Sequence, residues 1–552
     1  MNRIEAECWQ ALQQHRQTLD HLHLRDVFAA EPDRFARMHE TLHGLLFDYS
    51  KNRISEETLQ LLCRLAEAAG LPAQTAAMKN GGKINGSEGR PVLHTALRRP
   101  REAAPVFVDG ENVSVQIHAE LDRALAFAQA VSEGRHTGVN GHEITDWVHI
   151  GIGGSDLGPR LCAEALRPFC GRLRVHFVSN SDPADIAQTL HGLNPETTLF
   201  SIASKSFGTP ETLLNAEAAR NWYRAAGLPE SGIGRHFCAV SSNTEAAEAF
   251  GIAPEHVFAM SEGVGGRYSV WSTIGLPLMA AVGEAHFRDF LAGAHAMDEH
   301  FFRTPLRHNI PVLMALLHVW YNNFHDADGH TAVPYHHNLR LFPSWLNQLD
   351  MESLGKSRRP DGTPAAHPTG GIVFGEEGVN CQHAYFQLLH QGTRLIPADF
   401  IVPMQSPCGS NRAHRFTVAN AFAQAEALMK GKTEAEAEAE LAHLPEAERR
   451  LLAPQKAFPG NRPSNSLLLE CVNPFNLGLL LAAYEHRTFA AGVIWGINPF
   501  DQWGVEYGKV LAKAIEPELA NTAAPQHDSS TNGLIAFYRS CQNNGLTDDS
   551  AS

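Results

Sequence analysis

The residue types best suited to bind an anion cluster at Ser204-Lys205-Ser206, inside the run "LFSIASKSFGTPETLLNAEAARNW" that begins at Leu199. An apolar, strand-like stretch ends there, and a helix-like stretch follows Thr209. Backbone N–H groups at a helix N-terminus lack partners and carry the positive end of the helix dipole. Hydroxyls and one ammonium around that end make a phosphate site. The competing account is a helix cap, Thr209 followed by Pro210. It explains Thr209 and leaves Ser204, Lys205 and Ser206 unexplained. A second loop, "GIGGSDLGP" at 151–159, has glycines at 151, 153 and 154 that let backbone approach a ligand, then Ser155 and Asp156 at a helix start. The string G-x-G-G also fits a dinucleotide loop or a tight turn. A dinucleotide loop needs an acidic residue closing the next strand, and Asp182 is the candidate. The hydroxyls and lysine of the two loops suit a single phosphate better.

These loops need a rigid frame. Strand-like runs occur at 147–153, 172–178, 198–204, 236–242 and 256–260, with helix-like stretches between most of them. That rhythm predicts a parallel sheet with helices on both faces, and ligands beyond the carboxyl ends of its strands. Residues 1–75 read as helical, and "MKNGGKINGSEGRPVLH" reads as a functional or connecting loop. The charged, low-complexity run at 432–452 reads as a solvated helix with Thr433 near its start, and the polar last dozen residues are expected to fray.

Composition narrows the function classes. The chain has 552 residues, enough for two or more domains, and a formal net charge of −15 without a long basic run, so nucleic acid is not an expected partner. In a protein this acidic, an isolated cation in a loop is informative. Nine scattered cysteines without a C-x-x-C pair fit neither a zinc site nor a disulfide framework, and point to a reducing compartment. The N-terminus has no signal-peptide core, and apolar runs such as "NIPVLMALLHVW" stop short of a membrane span. The run "HDADGH" at 325–330 looks faintly like a calcium loop, but His337 stands where the closing glutamate belongs, so it reads as a turn.

Two further glycine-punctuated runs, "EGVGGRYSVWSTIG" (262–275) and "FDQWGVEYGK" (500–509), join "GIGGSDLGP", "SKSFGTPET", "MESLGK" and "GVNCQHAYFQLLHQGT". Together they closely resemble the glucose-6-phosphate isomerase (phosphoglucose isomerase) family, from "YSKNRIS" at 49 to "SSTNGLIAF" at 529. The resemblance implies an α/β protein with two sugar-isomerase (SIS-type) domains, each a mainly parallel sheet flanked by helices, plus a C-terminal helical arm. The expected divisions are 1–118 (N-terminal helical part of the large domain), 119–285 (small domain), 286–515 (large domain) and 516–552 (arm and tail). It implies reversible interconversion of glucose 6-phosphate and fructose 6-phosphate through a cis-enediol, without metal or cofactor. It also implies a cytoplasmic homodimer with shared sites, binding a hexose 6-phosphate and neither nucleic acid nor membrane.

By resemblance, Glu352 is the base, His383 the ring-opening acid–base, Lys509 its partner, and Arg267 the cation beside the enediolate. Gln502 is the amide that meets sugar hydroxyls. The phosphate falls to Ser204, Lys205, Ser206 and Thr209, with Gly154 and Ser155 from the first loop. By spacing alone, Glu352 and Lys509 would pass for helix-surface residues and His383 for one structural histidine among 30. Three positions depart from the family: Ser206 for a usual Thr, Leu354 beside the base for a frequent Asn, and Cys381 near His383 for a common Gly. Leu354 is expected to have a quantitative effect at most, through hydrogen bonding at the base, and any thiol sensitivity is expected at Cys381. The rival class is a non-catalytic sugar-phosphate regulator built on the same domain type, which lacks the base and usually carries a DNA-binding module. Side activity on mannose 6-phosphate stays open.

Overall fold

In the computed structural model, residues 3–409, 411–521 and 523–545 are described. They fall into two compact units, Met1–Phe500 and Asp501–Ser552.

Within the first unit, every expected strand run contains a strand. Arg174–Val178, Asp146–Ile150, Thr198–Ala203, Phe237–Val240 and Val257–Phe258 lie side by side in that order, all parallel. Asp146–Ile150 and Thr198–Ala203 are buried along their whole length, which is why they read as near-continuous apolar runs. They are neighbours, with Ile150 opposite Ile202. The loops that leave their carboxyl ends, Gly151–Ser155 and Ser204–Thr209, therefore emerge together.

The second sheet has six strands in the order His39–Leu42, Leu45–Asp48, Ser464–Leu469, Ala398–Pro403, Gly329–Pro334, Ile372–Phe374. Its last four strands run parallel, and the first two form an antiparallel hairpin on the edge. That hairpin corrects the all-helical reading of residues 1–75. His43 and Gly44 both have positive φ, 44° and 85°, which is the two-residue turn whose twist matches paired strands. The helix Pro474–Trp495, buried almost throughout, packs along Leu276–Arg303, itself interrupted at Gly283.

The run at 432–452 is not one solvated helix. It forms Glu434–Glu440 and Glu446–Lys456, with Pro445 at the break, and the pair buries Ala437, Leu441 and Ala453 between them. Thr433 does cap the first, with Glu436 completing a capping box.

The second unit consists of a short turn, Trp503–Val505, and the helices Glu506–Ala520 and Ser529–Gly545. Ile535 is buried, while Trp503, Tyr507, Val510, Leu534 and Phe537 are exposed. The polar end expected to fray is helical to Gly545, and the rest of it lies outside the described residues. Among the described residues, no helix is long and apolar enough to cross a membrane.

Candidate active site

The Ser204–Thr209 loop is built around the Ser204 hydroxyl. Ser204 is buried, and its Oγ accepts from the backbone N–H groups of Gly208 (3.3 Å) and Thr209 (3.4 Å) and pairs with Thr209 Oγ1 at 3.0 Å. Phe207 makes the turn in the left-handed region (φ 49°) while its ring stays buried in the small sheet's core. A bulky residue held there carries strain, and such positions cluster where a loop must keep an unusual shape. Thr209 stands at the N-cap of the helix Pro210–Ala225, but its side chain makes no capping bond. Its hydroxyl is spent on Ser204, so the helix-cap account does not cover it.

Lys205 is half-buried, and its carbonyl is fixed by Ser242 N–H (2.9 Å) and Ser241 Oγ (3.1 Å). Burial lowers its ammonium pKa from the usual lysine value; Arg90 lowers it further, while Glu262 and Glu88 oppose. Ser206 is exposed. Arg90 was not singled out by its sequence context, because the glycine-rich loop that carries it also holds Lys79 and Lys83.

The first loop meets the second half of the site through Gly154. A Cβ there would lie 2.0 Å from the Gly266 carbonyl carbon and 2.5 Å from Arg267 N, so only glycine allows this approach. Ser155 is half-buried, and its carbonyl accepts from the fully buried His149 at 2.7 Å. Asp182, the dinucleotide candidate, instead caps the helix Pro183–Leu190 by accepting from Ala184 N–H at 2.9 Å.

Arg267 is 4% exposed and fixed on several sides. Its Nε donates to Ser353 Oγ (2.6 Å), its Nη2 donates to the Pro499 carbonyl (2.8 Å), and its Nη1 lies 3.2 Å from Glu352 Oε2. Tyr268 joins the same group, with its hydroxyl 3.1 Å from Ser353 Oγ and 3.2 Å from the Pro499 carbonyl. Burial pushes the Tyr268 phenol up to about 12, so it keeps its proton. Glu352 ends a π-helical turn, Gln348–Glu352, a feature that recurs at functional sites. It is not the ordinary surface-helix glutamate that spacing alone allowed. Lys356 Nζ donates to the carbonyls of Glu352 (2.8 Å), Ser353 (3.1 Å) and Asn498 (3.1 Å), which ties the turn's end to the 498–499 segment. Gln348 also went unremarked in the sequence: its Nε2 lies 3.1 Å from where a Cβ on Gly153 would sit.

The structure thus pairs Arg267 with Glu352 and packs Gly154 against the Gly266–Arg267 backbone, with Ser155 on the same loop as Gly154 and Ser204–Thr209 on the loop that leaves the adjacent strand. It does not bring His383 into that group. His383 ends the 3-10 turn Asn380–His383 and is exposed. Lys509, exposed on Glu506–Ala520, and Gln502, the N-cap of Trp503–Val505, belong to the second unit. Leu354 packs in the main apolar core at 1% exposure. Cys381 is fully buried, and burial pushes its thiol up to about 12. This corrects the expected thiol sensitivity there, because the reactive species is the thiolate. Among the described residues, no group of three or more His, Cys, Asp or Glu side chains could hold a metal ion.

A family profile described as "Phosphoglucose isomerase" matches residues 48–535. The chain belongs to the phosphoglucose isomerase family. It is 67% identical over 540 residues to glucose-6-phosphate isomerase 2 of Neisseria gonorrhoeae, covering 98% of each chain. It is 54% identical over 537 residues to glucose-6-phosphate isomerase 2 of Chromobacterium violaceum, covering 97% of each. Its fold matches the crystal structure of a glucose-6-phosphate isomerase from Chlamydia trachomatis with a TM-score of 0.84 at 31% identity, covering 97% of this chain and 99% of that one. Family membership accounts for the two α/β sheets.

Proposed function

We propose that this protein interconverts D-glucose 6-phosphate and D-fructose 6-phosphate through a cis-enediol, with Glu352 as the base. The observation that carries this is the Arg267–Glu352 pair, 3.2 Å apart, where Gly154 lets the first loop touch the arginine backbone. Aldose–ketose isomerisation needs a fixed base that carries one proton between C2 and C1, and a cation beside the oxygens as they become anionic. A glutamate aimed by a π turn and a guanidinium held by Ser353 and Pro499 supply the two. The phosphate is anchored by Lys205, with hydroxyls from Ser155, Ser204, Ser206 and Thr209 and backbone at Gly154. Binding energy from that remote group holds the reacting carbons in place. His383 opens the sugar ring with Lys509, and Gln502 hydrogen-bonds the sugar hydroxyls. A binding-only regulator would need the phosphate loop but not the Arg267–Glu352 pair.

We propose further that the protein is a homodimer in which His383 of one chain completes the partner's site. The exposure of His383 supports this, as do the large apolar side chains that the second unit leaves exposed, Trp503, Tyr507, Val510, Leu534 and Phe537. A cytoplasmic location is supported by nine free cysteines. The proposed division into 1–118 plus 286–515 around one sheet and 119–285 around the other is supported by where the strands of each sheet fall in the chain, and the arm is proposed from 516, a position inside the helix Glu506–Ala520. The test is a coupled assay of glucose 6-phosphate formed from fructose 6-phosphate by the purified protein. Turnover that survives exhaustive chelation is expected, and absence of turnover on either sugar phosphate would reject the reading.

A further inference from the structure

Glu352 depends on a turn that is itself pinned from behind. Two residues before it, Asp350 is 2% exposed and faces the buried helix Pro474–Trp495. Its carboxylate accepts from Arg487 Nη2 and from Thr488 Oγ1, consecutive residues of that helix, both essentially without solvent exposure. A π turn closes its hydrogen bonds over one residue more than an α-helix does, so it shifts which side chains face inward. Here Asp350 goes into the interior while Glu352 reaches Arg267.

The far side of the Arg487 guanidinium is equally constrained. It borders a cavity of about 20 Å³ lined by His318, His330, Asp399 and Asn465 among others. Asp399 lies 3.7 Å from Arg487 Nη1 and accepts from Tyr484 (2.7 Å) and Asn465 (2.8 Å), with His330 at 3.0 Å. Arg487 Nε and Nη1 and His318 Nε2 are buried without a protein hydrogen-bond partner. Burial pushes His318 well below its usual pKa, so it is neutral and able to accept. A volume of this size with donors on one side and an acceptor on the other suits a single water. The guanidinium is therefore wedged between that polar cavity and Asp350, and a buried charge so placed has little freedom to move without losing its partners.

We propose that Asp350, Arg487 and Thr488 are positioning residues that set the reach of Glu352 toward the substrate carbons, with one buried water completing the Arg487 environment. This rests on the reading of Glu352 as the base. None of the three is given any contact with substrate. They act by fixing the turn, and a small displacement of a base is costly because proton transfer tolerates little misalignment.

The test compares full-length Thr488→Val, Thr488→Ser, Asp350→Asn and Glu352→Gln in the coupled assay. Thr488→Val keeps the shape and the charges but removes one donor to Asp350. It should lower kcat roughly 10- to 100-fold with KM within about twofold of native, the signature of a lost transition-state alignment. Thr488→Ser keeps the hydroxyl and should restore kcat. Asp350→Asn should fall further; if it does not fold, the Thr488 pair decides alone. A Thr488→Val variant with native kcat, or one that lowers only thermal stability, would overturn the proposal, as would a Thr488→Ser variant as slow as the valine. If Glu352→Gln is dead while Thr488→Val is native, only the positioning role fails. If Glu352→Gln is active, the base assignment fails and takes this inference with it.

Discussion

At the scale of single residues, the phosphate loop makes the sharpest demand. Lys205 is the one lysine of the Ser204–Thr209 loop, half-buried, in a chain of net charge −15. A charge-assisted hydrogen bond contributes about 1.5–3 kcal/mol. Lys205→Met should therefore weaken a phosphorylated sugar analogue by roughly 10- to 100-fold, lower thermal stability little, and flatten the salt dependence of binding. Calorimetry with phosphorylated and unphosphorylated ligands checks this; equal affinity for both in the native protein would remove the phosphate reading. The residue types of this loop read as an anion site in the sequence because a helix cap left Ser204, Lys205 and Ser206 unexplained. The Ser204–Thr209 hydroxyl pairing was not legible, since it depends on Phe207 turning through positive φ. Glu352 and Arg267 were reachable only through family motifs. They are 85 positions apart, and nothing local reports that they meet. Cys381 misled because closeness to His383 in sequence says nothing about burial, and burial sets thiol reactivity.

At the scale of elements, the strand Asp146–Ile150 does more than carry its loop. His149 lies inside it, 0% exposed, 2.7 Å from the Ser155 carbonyl through Nε2 and 2.7 Å from Ser201 Oγ through Nδ1. Ser201 Oγ also accepts from Trp147 Nε1 at 2.8 Å, which leaves its own proton for His149 Nδ1. That network needs a neutral imidazole with its proton on Nε2. Burial accordingly lowers His149 from 6.5 to about 4. The unfolded chain binds the proton more readily, so the contribution is fully present above about pH 6.5 and is lost as pH falls toward 4. The loss amounts to roughly 3 kcal/mol at most. Melting temperatures at pH 7 and pH 4.5 should fall less for His149→Gln than for native protein; identical falls would contradict this. The alternating strands and helices of the small sheet were legible because both loop-bearing strands are buried on both faces. The edge hairpin His39–Leu42 and Leu45–Asp48 was missed because each strand has four residues, too few to break a helical pattern that surrounds them. The break at Pro445 was present in the sequence and was outweighed by the alanine–glutamate repeat.

At the scale of the whole molecule, the proposed shared site needs two chains. His383 and Glu352 are expected to act on one substrate, yet His383 stands exposed outside the bonded group around Arg267. A symmetric dimer uses each contact patch twice, so one crossing loop completes two sites. Glu352→Gln and His383→Gln chains, each inactive alone, should regain activity when co-refolded, because one site of each mixed dimer then holds both native residues. Mixed dimers shown to be present but inactive would reject the shared site. The sequence reported the family over almost the whole chain, and it reached assembly only through that resemblance, because contact between chains depends on surfaces far apart in sequence. The claim on which all of this rests is that Glu352 moves a proton between C1 and C2. It is tested most directly by following fructose 6-phosphate in D₂O by NMR, with native protein and with Glu352→Gln. A carboxylate base that exchanges its proton with solvent should place deuterium at C2 of the glucose 6-phosphate formed, and the rate of that labelling should fall about 10²–10⁴-fold in the variant. Labelled or unlabelled turnover at the native rate by Glu352→Gln would contradict the account.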